Sequence, residues 1–269
     1  MAGAGNDFII IEARQPDLDY AKFAQAVCAR QSGIGADGVL VLDKSMVSDY
    51  RMRVINADGS EAEMCGNGAR CMAAYIAARD QPVKPLFSME TLAGEILAQV
   101  QGDAVRVHLS DPKDYMTGLN ITVAGNKMTV HYIDTGVPHV IVFVDGLQGV
   151  DVNSLGVLIR NHPRFAPRGV NVNFVERARE GMVAVRTYER GVEAETLACG
   201  TGAVASALVA YMHLYPNIKE QQGASMRVLT TGKEILEITF DLQKGGFISN
   251  VWLKGTAQLI AKGEYYLDD

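Results

Sequence analysis

The sequence contains no apolar run approaching the length of a membrane span, which excludes a spanning helix. No basic segment followed by an apolar core opens the chain, so a secretory signal is not expected and a cytoplasmic setting is. There is no surplus of basic residues. With 25 Lys+Arg against 31 Asp+Glu, the net charge of −6 argues against a nucleic-acid or anionic-membrane partner. Cysteines are few: there are four, and Cys65 and Cys71 stand six positions apart without His or Cys at zinc-ligand spacing. Neither a disulfide framework nor a metal site is expected. The sequence has no extended GxGxxG fingerprint opening a βαβ unit and no phosphate-binding loop, so no nucleotide cofactor is expected. It also lacks a low-complexity linker, so whatever domains it forms should be closely packed.

What the sequence does contain is a duplication. Glu61 to Tyr75 reads EAEMCGNGARCMAAY and Glu193 to Val209 reads EAETLACGTGAVASALV. Each has an acidic approach, Cys-Gly-x-Gly-Ala, and then an Ala-rich stretch of helical composition. Cys65 and Cys199 are 134 positions apart, as are Gly35 of GIGADGV and Gly169 of GVNVNFV, which places Asp37 opposite Asn171. Gly5-Asn6-Asp7-Phe8 before one apolar run faces Gly136-Val137-Pro138-His139 before another, at an offset of 131. The period is far longer than one supersecondary unit, so it marks a domain-scale duplication and not a solenoid. At 269 residues the chain has room for two ordinary domains.

Helical spacing is read over Asp19 to Arg30, with Asp19 as cap, over Gly66 to Arg79, over Val152 to His162, with Asp151 or Asn153 as cap, and over Gly200 to His213. Pro82 and Pro216 follow the second and fourth of these. Short strand-like runs fill most of the remainder, among them Phe8 to Glu12, Val39 to Leu42, Ile121 to Val123, Val170 to Val175 and Thr256 to Ile260. The expected fold is α/β in the α+β sense: two pseudo-symmetric halves, each a mixed or antiparallel sheet wrapped around a central helix. The halves are expected at 1–115, with a C-terminal strand near 257–269, and at 116–256. Cys28, on the apolar side of its helix, and Cys71, deeper along the second helix, are read as structural.

A cysteine just ahead of a helix has its sulfur near unpaired backbone N–H groups and the positive end of the helix dipole, and both lower a thiol pKa. The same N–H groups can seat a carboxylate, and the glycines admit a ligand close to the backbone. Two such units suit a specific reaction. One thiolate takes a proton from a carbon next to a bound carboxylate, the opposite thiol returns one, and the carbon inverts. The thiols must begin in opposite protonation states and titrate as a pair. No cofactor and no metal are required. A structural bridge between Cys65 and Cys199 is disfavoured in a reducing compartment.

At these residues the sequence resembles the diaminopimelate epimerases. The matching motifs are Gly3 to Phe8, Gly33 to Gly38, Asn56 to Cys71, Thr135 to His139, Gly169 to Phe174 and Glu189 to Gly202, in that order. The resemblance implies a cofactor-independent isomerase of lysine and peptidoglycan-precursor synthesis. It implies two similar α/β halves with an active site in the cleft between them, diaminopimelate as substrate, and a homodimer. It casts Cys65 and Cys199 as the catalytic pair. Gly66, Asn67, Gly200 and Thr201 become the helix-start contacts to the reacting carboxylate, and Asn6, Asn56, Asn171, Glu189 and Arg190 hold the remainder of the substrate. Arg190 suits a distal carboxylate, and Glu189 with the Asn carbonyls suits an ammonium. His139 and Glu189 are candidates to orient or deprotonate the thiols.

Two features depart from the family. Val137 stands where some members have Asn. The chain opens at Met1-Ala2-Gly3, where the family usually has a short Lys-containing strand, and loss of that strand would leave a sheet edge unpaired. Proline and hydroxyproline racemases share the two-thiol plan. They typically carry His where this chain has Asn67, and they lack Glu189-Arg190-Gly191. Phenazine-biosynthesis-like isomerases lack the paired cysteines. A thiol redox sensor without turnover is the non-enzymatic alternative.

Overall fold

The computed structural model describes residues 1–13, 17–81 and 84–266. The chain divides into two compact units, 1–108 with 255–269 and 109–254. Pro82 and the last three positions of the expected C-terminal strand lie outside the described residues.

The first unit contains β1 Ala2–Gly3, β2 Asn6–Glu12, α1 Tyr20–Val27, β3 Gly38–Asp43, β4 Tyr50–Asn56, β5 Glu61–Ala62, α2 Gly66–Asp80, β6 Leu86–Thr91, β7 Gly94–Gln101 and β8 Ala104–His108. The second contains β9 Lys113–Val123, β10 Asn126–Asp134, β11 Pro138–Phe143, α3 Val152–Arg160, β12 Asn171–Arg179, β13 Met182–Glu189, β14 Ala194–Thr196, α4 Gly200–Leu214, β15 Gln221–Leu229, β16 Ile235–Leu242 and most of β17 Ile248–Thr256.

The duplication read from the motifs holds strand for strand. β2 pairs in parallel with β3, β3 antiparallel with β4, and β4 antiparallel with β5 and parallel with β6. β6, β7 and β8 then form an antiparallel meander. In the second unit β11, β12, β13, β14, β15, β16 and β17 repeat that sequence of parallel and antiparallel pairings. Gly35 and Gly169, the paired glycines ahead of β3 and β12, both have positive φ, at 85° and 65°, so the same left-handed turn feeds both strands.

Each unit wraps its sheet around one largely buried helix. Every residue of α2 from Gly66 to Ala73 is buried, as is Ile76, and α4 is buried from Gly202 to Tyr211. Ala, Gly and Ser dominate these stretches, which lets strands approach on several sides. α4 is apolar almost all round, as suits a helix inside a domain, whereas α2 buries Asn67 and Arg70 among its small residues. α2 packs against β1 to β4, β7 and β8, and α4 against β10 to β13, β15 and β16. The second helix of each unit is amphipathic and covers an outer face. α1 buries Phe23, Ala24 and Val27, and α3 buries Val152, Gly156 and Ile159. Asp19 caps α1 through the N–H groups of Ala21 and Lys22, and Asp151 caps α3 through Ser154. No described helix is long and apolar enough to cross a membrane.

Two expectations need correction. Residues 257–266 form no strand beyond a single bridge between Gln258 and Ala2, so the segment expected as a strand near 257–269 joins the first unit without one, and the preceding strand, β17, ends at Thr256. The chain start is not an unpaired edge. Ala2 and Gly3 pair with Asp7 and Asn6, which gives the short opening strand a two-residue form.

Candidate active site

Each unit gathers its candidate residues at the ends of equivalent elements. In the first, Asn6 begins β2, Asn56 ends β4, and Cys65, Gly66 and Asn67 open α2. In the second, His139 is the second residue of β11, Asn171 begins β12, Glu189 ends β13, and Cys199, Gly200 and Thr201 open α4.

In the first unit Cys65 is the N-cap of α2, and its half-buried Sγ accepts from Gly68 N at 3.4 Å. The N–H groups of Gly66 and Asn67 have no acceptor among the described residues, as expected of a helix start. Asn67 is buried, and its Nδ2 donates to Asn6 Oδ1 at 2.6 Å. Asn6 Nδ2 donates to Asp37 Oδ2 at 2.8 Å. Behind them, Arg70 donates to Asn67 Oδ1 at 3.1 Å from full burial. Arg30 forks onto both oxygens of Asp7, at 3.0 and 2.8 Å, and reaches Asp37 at 2.8 Å. Burial alone would raise the Asp7 pKa, but the bonds and charge of Arg30 outweigh it and the net shift is downward. Asn56 is exposed and bonds Ser60 Oγ at 3.0 Å, and its neighbour Ala57 donates to Asp37 O. Asp37 therefore holds Asn6 by its side chain and the turn after Asn56 by its carbonyl.

In the second unit Cys199 is the N-cap of α4 and is buried, but no helix N–H turns to its sulfur. Sγ lies 3.6 Å from Thr201 Oγ1 instead. The N–H groups of Gly200, Thr201 and Gly202 have no acceptor among the described residues. Thr201 Oγ1 is 3.0 Å from His139 Nε2, and Thr135 Oγ1 donates to Thr201 O at 3.1 Å. His139 has no exposed surface. Burial, assisted by the charge of Arg190, pushes its pKa down to about 3. Both nitrogens of the neutral imidazole are engaged, by Thr201 Oγ1 and Asn173 Nδ2.

Asn171 Oδ1 accepts from Arg190 N at 2.7 Å, which leaves its Nδ2 without a partner among the described residues. Arg190 donates from Nη1 to Arg168 O at 2.9 Å and makes no ion pair among the described residues. Its remaining donors suit a ligand carboxylate. Glu189 Oε2 accepts from Thr196 Oγ1 at 3.0 Å. Val137 is half-buried and accepts from Thr135 N through its carbonyl, a bond that any residue there would make.

Asn173, Thr187 and Thr135 were not anticipated. The available signal was two polar residues, Asn171 and Asn173, on the same face of a strand whose other residues through Val175 are Val172 and Phe174. Cys28 behaves as expected of a core thiol. Burial, with the charges of Asp7 and Asp37, raises its pKa to about 11. Cys71 is also fully buried.

The depressed His139 pKa carries a prediction. The unfolded state protonates this residue below about pH 6.5 and the native state only near pH 3, so native stability is lost on acidification through that window. The loss is about 1.4 kcal/mol per pH unit. Chemical denaturation of wild type and His139→Gln at pH 7, 5.5 and 4.5 measures it as a flatter pH dependence in the variant.

The model of the family described as diaminopimelate epimerase matches residues 1–118 and 131–244. The chain is similar to a diaminopimelate epimerase of Hydrogenobaculum sp., 37% identical over 97% of this chain and 95% of that protein. It is also similar to one of Aquifex aeolicus, 40% identical over 98% of this chain and 95% of that protein. Among solved structures, the fold is similar to that of a PhzF-family phenazine biosynthesis protein from Bacillus anthracis. That likeness has a TM-score of 0.71 at 16% identity, over 95% of this chain and 92% of that one.

Proposed function

Since the chain belongs to the diaminopimelate epimerase family, we propose that it interconverts LL- and meso-diaminopimelate with Cys65 and Cys199 as its two acid–base groups. The observation that carries this reading is the repeated helix start. In each unit a cysteine caps a buried helix and is followed by glycine and by N–H groups with no acceptor among the described residues.

A carboxylate seated on those N–H groups has its α-carbon within the reach of a sulfur. As one thiolate removes the α-proton, charge spreads onto that carboxylate, and fixed N–H dipoles stabilise it without reorganising. The second thiol delivers a proton to the opposite face. The distal, unreacting end requires a cation and acceptors, for which Arg190, with donors to spare, and Glu189 are suited. Asn6, Asn56 and Asn171 complete its contacts in this reading. No step calls on a cofactor. Assembly as a homodimer belongs to the same reading, and sedimentation analysis measures it.

The test is solvent exchange. Incubated with meso-diaminopimelate in heavy water and without added cofactor, the protein is expected to place deuterium at one α-carbon while the LL isomer appears. Deuterium at both ends of a single turnover product would show that the distal end is not clamped. Absence of exchange with both isomers would overturn the reading.

A further inference from the structure

The Cys199 sulfur stands at one end of a chain of side-chain hydrogen bonds whose direction is set at the other end. Asn173 has no exposed surface, and its amide orientation is fixed by a backbone carbonyl. Nδ2 lies 3.1 Å from Val140 O, an atom that can only accept, and Thr187 Oγ1 donates to Oδ1 at 2.9 Å. The second Nδ2 hydrogen is left for His139 Nδ1, 3.1 Å away. A donor in that place requires a lone pair on Nδ1, so the neutral ring carries its proton on Nε2. Nε2–H then donates to Thr201 Oγ1 at 3.0 Å, and a hydroxyl that accepts on one side turns its own proton elsewhere. Cys199 Sγ lies 3.6 Å from that oxygen, in the place where α4 supplies no N–H of its own.

We propose that Asn173, locked by the Val140 carbonyl, is a positioning residue: it sets the tautomer of His139 and so aims the Thr201 hydroxyl at Cys199, favouring the thiolate. Burial and the charge of Arg190 keep the ring neutral, so the relay holds one direction across the working pH range. The first unit reaches the same end without a relay. There Asn67 occupies the place of Thr201 and turns to Asn6, and Gly68 N–H serves the Cys65 sulfur. The catalytic consequence rests on the epimerase reading, but the tautomer and the thiol are measurable without substrate.

Two measurements test it. In protein with 15N-labelled histidine, with the His139 signals assigned by their loss in His139→Gln, Nε2 is expected to show the protonated type of shift and Nδ1 the unprotonated type. The reverse pattern overturns the proposal. In Asn173→Asp the carboxylate captures an Nδ1 proton, Nε2 becomes an acceptor, and Thr201 O–H turns to it and away from sulfur. The rate at which Cys199 reacts with methyl methanethiosulfonate at neutral pH, followed on its own peptide by mass spectrometry, should fall about tenfold. That is a rise of about one unit in the pH midpoint. The Cys65 peptide should be unaffected.

Asn173→Leu, close in shape, removes the donor that keeps Nδ1 unprotonated, and it should give part of the same shift should Asn173→Asp not fold. Thr201→Val should give the whole shift and Thr201→Ser none. A Cys199 midpoint unmoved in Asn173→Leu and Thr201→Val overturns the relay even where epimerisation is found. A midpoint that moves as stated upholds it even where epimerisation is not.

Discussion

Replacing either Cys65 or Cys199 by serine is expected to lower the rate of epimerisation by about two to four orders of magnitude, the usual worth of a placed general acid or base. The fold should survive, because each sulfur sits at a helix start and not in the packed interior of α2 or α4, and serine is itself a favoured N-cap. Beyond the loss of turnover, the two variants should differ in kind. Inversion needs both groups, but removal and return of a proton on one face needs one. Each single variant should therefore still exchange the α-hydrogen of one diastereomer in heavy water, slowly and without inversion, and the two variants should select opposite diastereomers. The double variant should exchange neither, and its epimerisation should be little worse than that of either single variant, as for groups that act as a unit. Wild-type epimerisation in either single variant would rule out the assignment of two bases.

The second large effect concerns a glycine. A Cβ added at Gly202 would lie 2.5 Å from Asn173 Oδ1, 3.1 Å from Cys199 Cβ and 3.3 Å from its sulfur. Neither neighbour has room to retreat. Asn173 is held by Thr187, Val140 and His139, and Cys199 is anchored in the backbone that opens the helix. Gly202→Ala should therefore cost about 1–3 kcal/mol of stability. It should also lower kcat/KM by about a hundredfold, since a displacement on the order of 1 Å at the reacting group has that effect.

Gly68 is its counterpart in the first unit, yet an added Cβ there meets Leu40 Cδ2 at 3.0 Å and the Cys65 sulfur at 3.6 Å. A leucine methyl can swing aside, so Gly68→Ala should be the milder change on both counts. Denaturant midpoints and steady-state kinetics of the two variants side by side measure the contrast. Equal damage would mean that the Asn173 contact is not what makes Gly202 necessary.

The duplication was legible because glycine, cysteine and turn residues recur at nearly constant offset, and such residues are dictated by backbone geometry more than by packing. The two buried helices were legible from their Ala-rich composition, and the caps Asp19 and Asp151 from their place just ahead of helical spacing. What escaped had no local pattern. β1, β5 and β14 are two or three residues long, too short for alternation to register. β9 begins at Lys113, but only its last part, Ile121 to Val123, carries alternating buried residues. The earlier part is mostly exposed and held by its ladder to β10.

The deeper omission was polar. Asn173 and Thr187 read as ordinary alternation in half-buried strands, and nothing local says that their side chains point into the protein and meet. Their pairing follows from the register of β12 on β13, which sets them directly opposite one another. Arg30 is similar: it reads as a helix-end cation, and only the approach of β2 and β3 gives it Asp7 and Asp37 as partners.

The way the first unit is assembled bears on how the chain matures during synthesis. The second unit is one uninterrupted segment, 109–254, whereas the first takes in residues 255–269 as well and ties Ala2 to Gln258 by reciprocal backbone bonds of 2.8 Å. A ribosome extends a chain at about 5–20 residues per second, and segments complete in their own right can fold as they emerge. Here the opening strand gains that partner only after position 258 is made, while the second unit has all of its residues once position 254 is out. The N-terminal half therefore has its strands early and gains the bridge that fastens its first residues only once Gln258 has emerged.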